Sequence, residues 1–593
     1  MDDKARYERW TKDSLVARIL ALEDDLRARD HPESVKSAPA AAAVTQTGEV
    51  SSASSSPQPL LAPATPPAKK KPDRKIDPSK YSTRLVALKL AYVGKNYGGF
   101  EFQASGNLPT IEEELWKAFV KACLIFPERP NEVRFDDWEY SKCGRTDRGV
   151  SAFGQVIAIR VRSLRPLPKK KAPPPAEAQA QEGEETSAAT SADAEPQQES
   201  LNQETPPEEV DEAEEREFND FTDEIQYPRI LNRLLPPDIR ILAWCPTTPA
   251  DFSARFDCRE RQYRYFFTQP AYSPVPRSLE NPKSKTSGGD RIKDGWLDID
   301  AMRAAAKKFE GLHDFRNFCK VDPGKMIVNF DRRIFESDIV EVKDVNTALP
   351  YLDNADFRPA AGLGEAGSQD KDNKFPKVYY FHVRGSAFLW HQIRCMVAVL
   401  FSVGQGLEAP SVVDQLLDVA AQPRRFNYVL ASEAPLVLWD CIFPLDGDAN
   451  NSENHREDAV PWVYLGEENP LNQHGHTGLV DQMWEFWRER KIDEVLAGQL
   501  FNAVAARADI SLRRDPRAPR CVPVTQRVFE GGHRERLVGK YVPMLQKSRL
   551  MSPDEVYERE ARRKGFASVA ELRAAAAQKR ADALARAAVE GDE

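Results

Sequence analysis

Lys142–Arg162 reads KCGRTDRGVSAFGQVIAIRVR, a charged loop that runs straight into a strand. From Gln155 onward, Ile157, Ile159 and Val161 alternate with Arg160 and Arg162, the period-two pattern of a half-buried strand. The loop before it carries a single carboxylate, Asp147, between Arg145 and Arg148. Gly144 and Gly149 flank it and allow the backbone to turn tightly. A carboxylate at a strand mouth ringed by cations stays ionised and suits nucleophilic work on an anionic substrate. The competing reading of the same residues is an Asx-turn with a surface ion pair.

Outward from this stretch the chain alternates strands and helices. LVALKLAY places Val86, Leu88, Leu90 and Tyr92 on one strand face. Thr110 and Glu113 form a capping-box signature ahead of a helix with Ile111, Leu115, Ala118 and Ala122 as its buried stripe. After Tyr227 a short helix is stopped by Pro236-Pro237, and strands at 239–245 and 261–267 close a first half that spans 81–267. The second half, 268–445, holds a helix over about 298–310, strands around 327–342 and 377–384, and an apolar helix from about Phe388 to Val403. Strands with one or two packed helices in each half give an α+β plan.

With 593 residues and 44 prolines, the chain reads as globular modules separated by polar segments that cannot pack a core. Residues 1–30 read as an amphipathic helix or short coiled coil, with Leu15, Ile19, Leu22 and Leu26 at 4-3-4 spacing. Residues 31–80 read as a disordered linker ending in the basic run Lys69–Lys75. A disordered acidic insert interrupts the first half at about 165–225. Sixteen acidic residues and one arginine between 176 and 220 give that stretch a net charge of −15, against −9 for the whole chain, which leaves +6 for the remainder. The globular part is thus mildly basic, as a phosphate-binding surface requires. Residues 446–593 form a C-terminal extension, partly helical, in which Trp484, Trp487, Ile492, Val495 and Leu496 suggest a packed helix and the end after about Ser552 a solvated helix or tail. The eight cysteines show no C-x-x-C pair, which argues against a zinc site and for a reducing compartment. No stretch approaches the roughly 18 apolar residues that cross a bilayer, and no signal peptide is evident. The expectation is an intracellular protein with no membrane partner, in the nucleus, the cytoplasm or both.

Two further side chains stand out. Arg394 lies among Ile393, Met396, Val397, Leu400 and Phe401, where a permanent cation needs an anionic or carbonyl partner unless it snorkels to solvent. Tyr263 shares a strand face with Arg261, Tyr265 and Phe267, a pattern that also fits an ordinary core stripe. Lys89, Arg160, Arg162, Arg255 and Arg264 are phosphate contacts by charge alone.

GRTDRGVSAFGQV resembles the signature loop of the TruA family of tRNA pseudouridine synthases. Further blocks match in the family's order: Tyr92–Gln103, Leu231–Ile241, Phe252–Phe267, Gly311–Lys320, Gly385–Gly406 and Ala434–Phe443. Arg148 and Ser151 depart from the bacterial pattern, which has a small residue after the aspartate and a histidine three further on. With HDFRNFCK and FLWHQIRCM, this looks most like the eukaryotic branch that modifies positions 38 and 39 of the anticodon arm.

The resemblance implies two RRM-like halves, their antiparallel sheets joined side by side around a central cleft that holds tRNA. It implies Asp147 as the essential catalytic residue, by attack at C1′, attack at C6 or removal of the 2′-proton. Arg394 would pair with Asp147 across the cleft, and Tyr263 would stack on the flipped uracil and assist proton transfer. Arg145 would fill the space left by the extruded base, with Arg148 and Leu436 as further substrate contacts. The resemblance also implies a homodimer, with no metal and no cofactor. Rival readings are a TruA-type enzyme for other tRNA positions, a catalytically silent tRNA-binding or tRNA-folding protein on the same fold, and a scaffold that acts through its termini.

Overall fold

The computed structural model describes residues 76–167, 218–274, 292, 294–343, 376–444, 458–467, 469–475, 478–505 and 526–589. The expected N-terminal helix, the linker with its basic run and most of the acidic insert lie outside these residues. In chain order the strands of the main sheet are β1 (Ser82–Tyr92), β2 (Ser141–Lys142), β3 (Ser151–Ser163), β4 (Ile239–Cys245), β5 (Glu260–Gln269), β6 (Gly311–Asp314), β7 (Asp331–Glu341), β8 (Lys377–Gly385), β9 (Leu436–Ile442) and β10 (Val463–Tyr464). The helices are α1 (Ile111–Lys121), α2 (Tyr227–Asn232), α3 (Ile299–Lys307), α4 (Gln392–Gly404), α5 (Val412–Leu417), α6 (Pro470–His474), α7 (Leu479–Ala505), α8 (Pro553–Arg563) and α9 (Val569–Val589).

The ten strands form one continuous sheet in the order β10-β4-β1-β3-β9-β5-β8-β7-β6, with β2 beside β3. The two halves meet where β3 runs parallel to β9, Ser151 opposite Val437 and Ala152 opposite Leu438. Gly154 sits at this seam. A Cβ there would fall 2.8 Å from the Trp439 carbonyl oxygen and 2.7 Å from the Asp440 Cα, so only glycine lets the strands approach so closely.

Two hydrophobic cores lie against the sheet. The first packs Trp116 and Phe119 of α1 on Leu88, Ile157, Ile159 and Trp244, all 1 % exposed or less. Thr110 caps α1 by accepting from the Glu113 amide at 3.2 Å, while the Glu113 carboxylate turns to Lys117 rather than closing the expected capping box. The second core packs α4 and α3 on β5, β7 and β8 through Phe309, Phe381, Met396, Leu400 and Phe401. Tyr263 touches both cores.

Three expectations change. Strand β5 does not close the first half: it pairs with β8 and β9 and so belongs to the second sheet. Hydrophobic alternation marks a strand but carries no information about its partner. The C-terminal extension is in part integral to the fold. β10 pairs with β4, and Gln405 exchanges hydrogen bonds of 2.7 Å with both the amide and the carbonyl of Phe529. In α8, which fell in the stretch expected to be solvated, Tyr557 is buried and donates to the Ile327 carbonyl at 2.8 Å. Helix α7 forms, yet none of its residues is buried, and Leu496, Leu500 and Phe501 stand exposed. The short helix α6 lies against it and leaves Trp487 half-buried, but no residue of α7 is fully covered. Among the described residues no helix is long and apolar enough to cross a membrane.

Candidate active site

The loop that carries Asp147 is pinned from the first half. Tyr92 at the end of β1 shares a 2.7 Å hydrogen bond with the buried Thr146 hydroxyl, and the Phe100 amide donates to the Thr146 carbonyl at 3.1 Å. Gly149 adopts φ +79°, a left-handed turn that returns the chain into β3. Gly144, expected to share that role, has no positive φ. These contacts present the Asp147 carboxylate to a cavity of about 1370 Å³.

The second half meets it there. At the entry to α4, the Trp390 indole nitrogen donates to one carboxylate oxygen of Asp147 at 3.2 Å, and Nε2 of His391 lies 3.3 Å from the other. His391 takes φ +61° as the helix N-cap, which turns its ring toward the loop. Burial, with Arg394, Lys320 and Arg425 nearby, pulls the His391 pKa down to about 4, so the ring is neutral near pH 7. Burial also raises the pKa of Asp147 above its ordinary value. The Trp390 hydrogen bond and the charges of Arg394 and Lys325 oppose the rise, and Glu433 adds to it.

Arg394 does line the cavity, but its partners differ from the expected pair. Its guanidinium donates to the Ala431 carbonyl at 2.7 Å and to the Glu433 carboxylate at 3.0 Å. It acts on Asp147 through its field. The apolar helix context announced that this cation needed a partner, but two carboxylates compete for it, and Glu433 holds the hydrogen bond. Trp390, His391 and Glu433 were not singled out from the sequence. A histidine and an indole donor within FLWHQIRCM, one turn ahead of the arginine, were the available signal.

Tyr263 lines the same cavity, with its ring edge-on to Phe388 at 5.2 Å between centroids. Burial holds its hydroxyl protonated, well above the ordinary phenol range. Leu436 is buried at the start of β9 and faces the cavity, as its position in APLVLWD allowed. Arg145 and Arg148 are exposed at the rim, and Arg145 pairs with Glu101 at 3.1 Å. The cavity lining holds eight Lys/Arg side chains against four Asp/Glu, a net attraction for a polyanion.

Of the cations marked by charge alone, Arg255 reaches the cavity. Lys89 is buried against Asp440 at 2.9 Å, and Arg160 pairs with Glu139 at 2.6 Å. Arg162 donates to the Cys123 carbonyl at 2.8 Å, and Arg264 stacks 3.6 Å over Trp439. These four take part in internal contacts because strand position, not charge, decides which face they join. The cysteines also depart from expectation: Cys143, Cys258 and Cys441 converge, with all three sulfurs within 4.8 Å of one another.

A family model described as tRNA pseudouridine synthase matches residues 305–444. The chain is 38 % identical over 402 residues to the tRNA pseudouridine(38/39) synthase of Bos taurus, covering 68 % of this chain and 61 % of that protein. It is 35 % identical to the tRNA pseudouridine(38/39) synthase of Homo sapiens with the same coverage, and 35 % identical over 376 residues to that of Saccharomyces cerevisiae. The chain thus spans about three fifths of the length of these relatives. Residues 305–444 thus resemble a tRNA pseudouridine synthase domain, and the wider chain is similar to tRNA pseudouridine(38/39) synthases over 376–402 residues.

Proposed function

We propose that the protein is a tRNA pseudouridine synthase that isomerises uridine to pseudouridine in the anticodon arm, at positions 38 and 39. The observation that carries this reading is the Asp147 carboxylate, presented to a large cationic cavity from one half and gripped by Trp390 and His391 of the other. The reaction breaks the N1–C1′ bond, joins C5 of the detached uracil to C1′, and exchanges the C5 proton for one on N1 through solvent, with no net change in protons or oxidation state. It needs a carboxylate near the sugar and a pocket that keeps the uracil from escaping.

At 1370 Å³ the cavity exceeds the ~300–1,000 Å³ of common small-molecule sites, as a splayed nucleotide with its flanking phosphates demands. Arg145 and Arg148 at the rim suit phosphate contact and the space vacated by the base. Tyr263, neutral through burial, offers a ring face to the uracil and a hydroxyl that donates a hydrogen bond. A TruA-type homodimer, one subunit gripping the tRNA body while the other acts on the arm, accounts for selection of a fixed position by distance. Light scattering at micromolar concentration checks that part, and a fully active monomer refutes it.

The activity is tested by mapping pseudouridine in an unmodified tRNA transcript after incubation with wild type and with Asp147→Asn. The expected outcome is modification at 38 and 39 by wild type only, with tRNA binding kept in the variant. Turnover of Asp147→Asn above about one per cent, a loss of less than ~2.7 kcal/mol in barrier terms, defeats the assignment of Asp147.

A further inference from the structure

We propose that Cys143, Cys258 and Cys441 form a binding site for a thiophilic d10 cation, Zn²⁺, at the seam of the two halves. The three thiols come from separate elements: the end of β2, the approach to β5, and β9. All their sulfurs lie within 4.8 Å of one another, and Cys143 and Cys441 are 3.0 Å apart. Zinc–thiolate bonds of ~2.3 Å place tetrahedral ligand sulfurs about 3.8 Å apart, so small side-chain rotations bring the trio to a common centre. Each cysteine is 5 % exposed or less, which leaves thiolates protected from exchange with solvent.

Charge supports the same assignment. Zn²⁺ with three thiolates carries a net −1, and the Arg261 guanidinium lies in the same cluster, donating to the Cys143 carbonyl at 3.1 Å and the Ser386 carbonyl at 3.0 Å. On binding, three S–H groups release three protons to solvent, and three S–Zn bonds form with no change of oxidation state. Thiolates select Zn²⁺ or Cu⁺ over harder ions. Cys143 and Cys258 also line the active cavity, which gives the ion an entry path and a source of water for its fourth position.

The site would clip the loop of Asp147, four residues beyond Cys143, to the strands of the second sheet. This assignment is independent of the reaction, since metal content is read without any activity.

The test is elemental analysis of the full chain purified without chelator. About one zinc per chain is expected for wild type and for Cys123→Ser, falling below about a tenth in Cys258→Ser and Cys441→Ser. Because a serine variant can fail to fold, apo wild type is also titrated with Co²⁺. Thiolate-to-cobalt charge-transfer absorption with tetrahedral d–d bands, saturating at one equivalent and displaced by Zn²⁺, is expected. A folded wild-type chain that is metal-free as isolated and gives no cobalt bands overturns the site. A Cys143–Cys441 disulfide in the peptide map of the freshly isolated protein also overturns it.

Discussion

The indole nitrogen of Trp390 donates to the Asp147 carboxylate at 3.2 Å, a bond between residues 243 positions apart. It joins the approach to α4 in one half to the Asp147 loop of the other, so the carboxylate takes up this contact only when the sheet is complete. Replacement by phenylalanine keeps the ring and removes the donor. A hydrogen bond to a charged group contributes about 1.5–3 kcal/mol, so Trp390→Phe is expected to lower single-turnover rates about 10- to 100-fold with the fold intact. A variant with unchanged rate excludes this contact from catalysis.

Burial of Asp147 outweighs the hydrogen bond and the cations that favour its ionised form. Its folded-state pKa is raised, so its contribution to stability is full below the unfolded value and lost as pH rises through the folded one. Above that point the carboxylate is a destabilising charge. Asp147→Asn is therefore expected to melt at or above the wild-type temperature near pH 7 while losing activity. A clear fall in melting temperature would mark Asp147 as a structural anchor instead.

The two charges around it push in opposite directions. Activity that depends on the carboxylate falls as pH drops through its pKa, so the acid limb of kcat/KM lies above the ordinary Asp range. Glu433 raises that pKa and Arg394 lowers it. Glu433→Gln should shift the limb to lower pH and Arg394→Gln to higher pH, read from rate profiles over about pH 4–8. Shifts in the same direction for both variants would rule out this electrostatic arrangement.

Much of this site was legible in the chain. Asp147, Tyr263, Arg394 and Leu436 all reach one cavity, because a loop flanked by arginines, an aromatic strand and an arginine in an apolar helix each leave a local pattern. What stayed hidden was pairing. Nothing local says that Arg394 bonds Glu433, that β5 joins the second sheet, or that three scattered cysteines meet. Such contacts are set by tertiary placement across hundreds of positions. The same limit explains Lys89 and Arg160, whose charges looked outward by composition and turn out to be matched internally. Helix α7 shows the converse: its apolar residues suggested burial, and none is buried.

The acidic insert should be dispensable up to a sharp limit. Described residues resume at Phe218, and Asp220 and Glu224 are parts of the fold rather than of a solvated segment. Asp220 pairs with Arg165 and, at 3.2 Å, with Arg84. Glu224 has no exposed side-chain surface, pairs with the nearly buried Arg84 at 3.0 Å and accepts from Ser163 at 2.6 Å. Burial opposes its ionisation, but Ser163, the Leu164 and Ile225 amides and Arg84 outweigh it, so its pKa is lowered. Its contribution to stability is thus present above the unfolded carboxylate pKa and lost as pH falls through the folded one. Deleting 176–217 is expected to leave melting temperature and turnover near wild type. It should tighten tRNA binding at low salt, since a polyanion no longer competes for the cationic cavity, and the gain should shrink as salt rises. Extending the deletion through Gln226 strands Arg84 in the interior, at about 3–5 kcal/mol for an unpaired buried charge. Calorimetric melting of the two deletions side by side decides the point: equal stability for both would show that the Glu224–Arg84 pair contributes nothing to the fold.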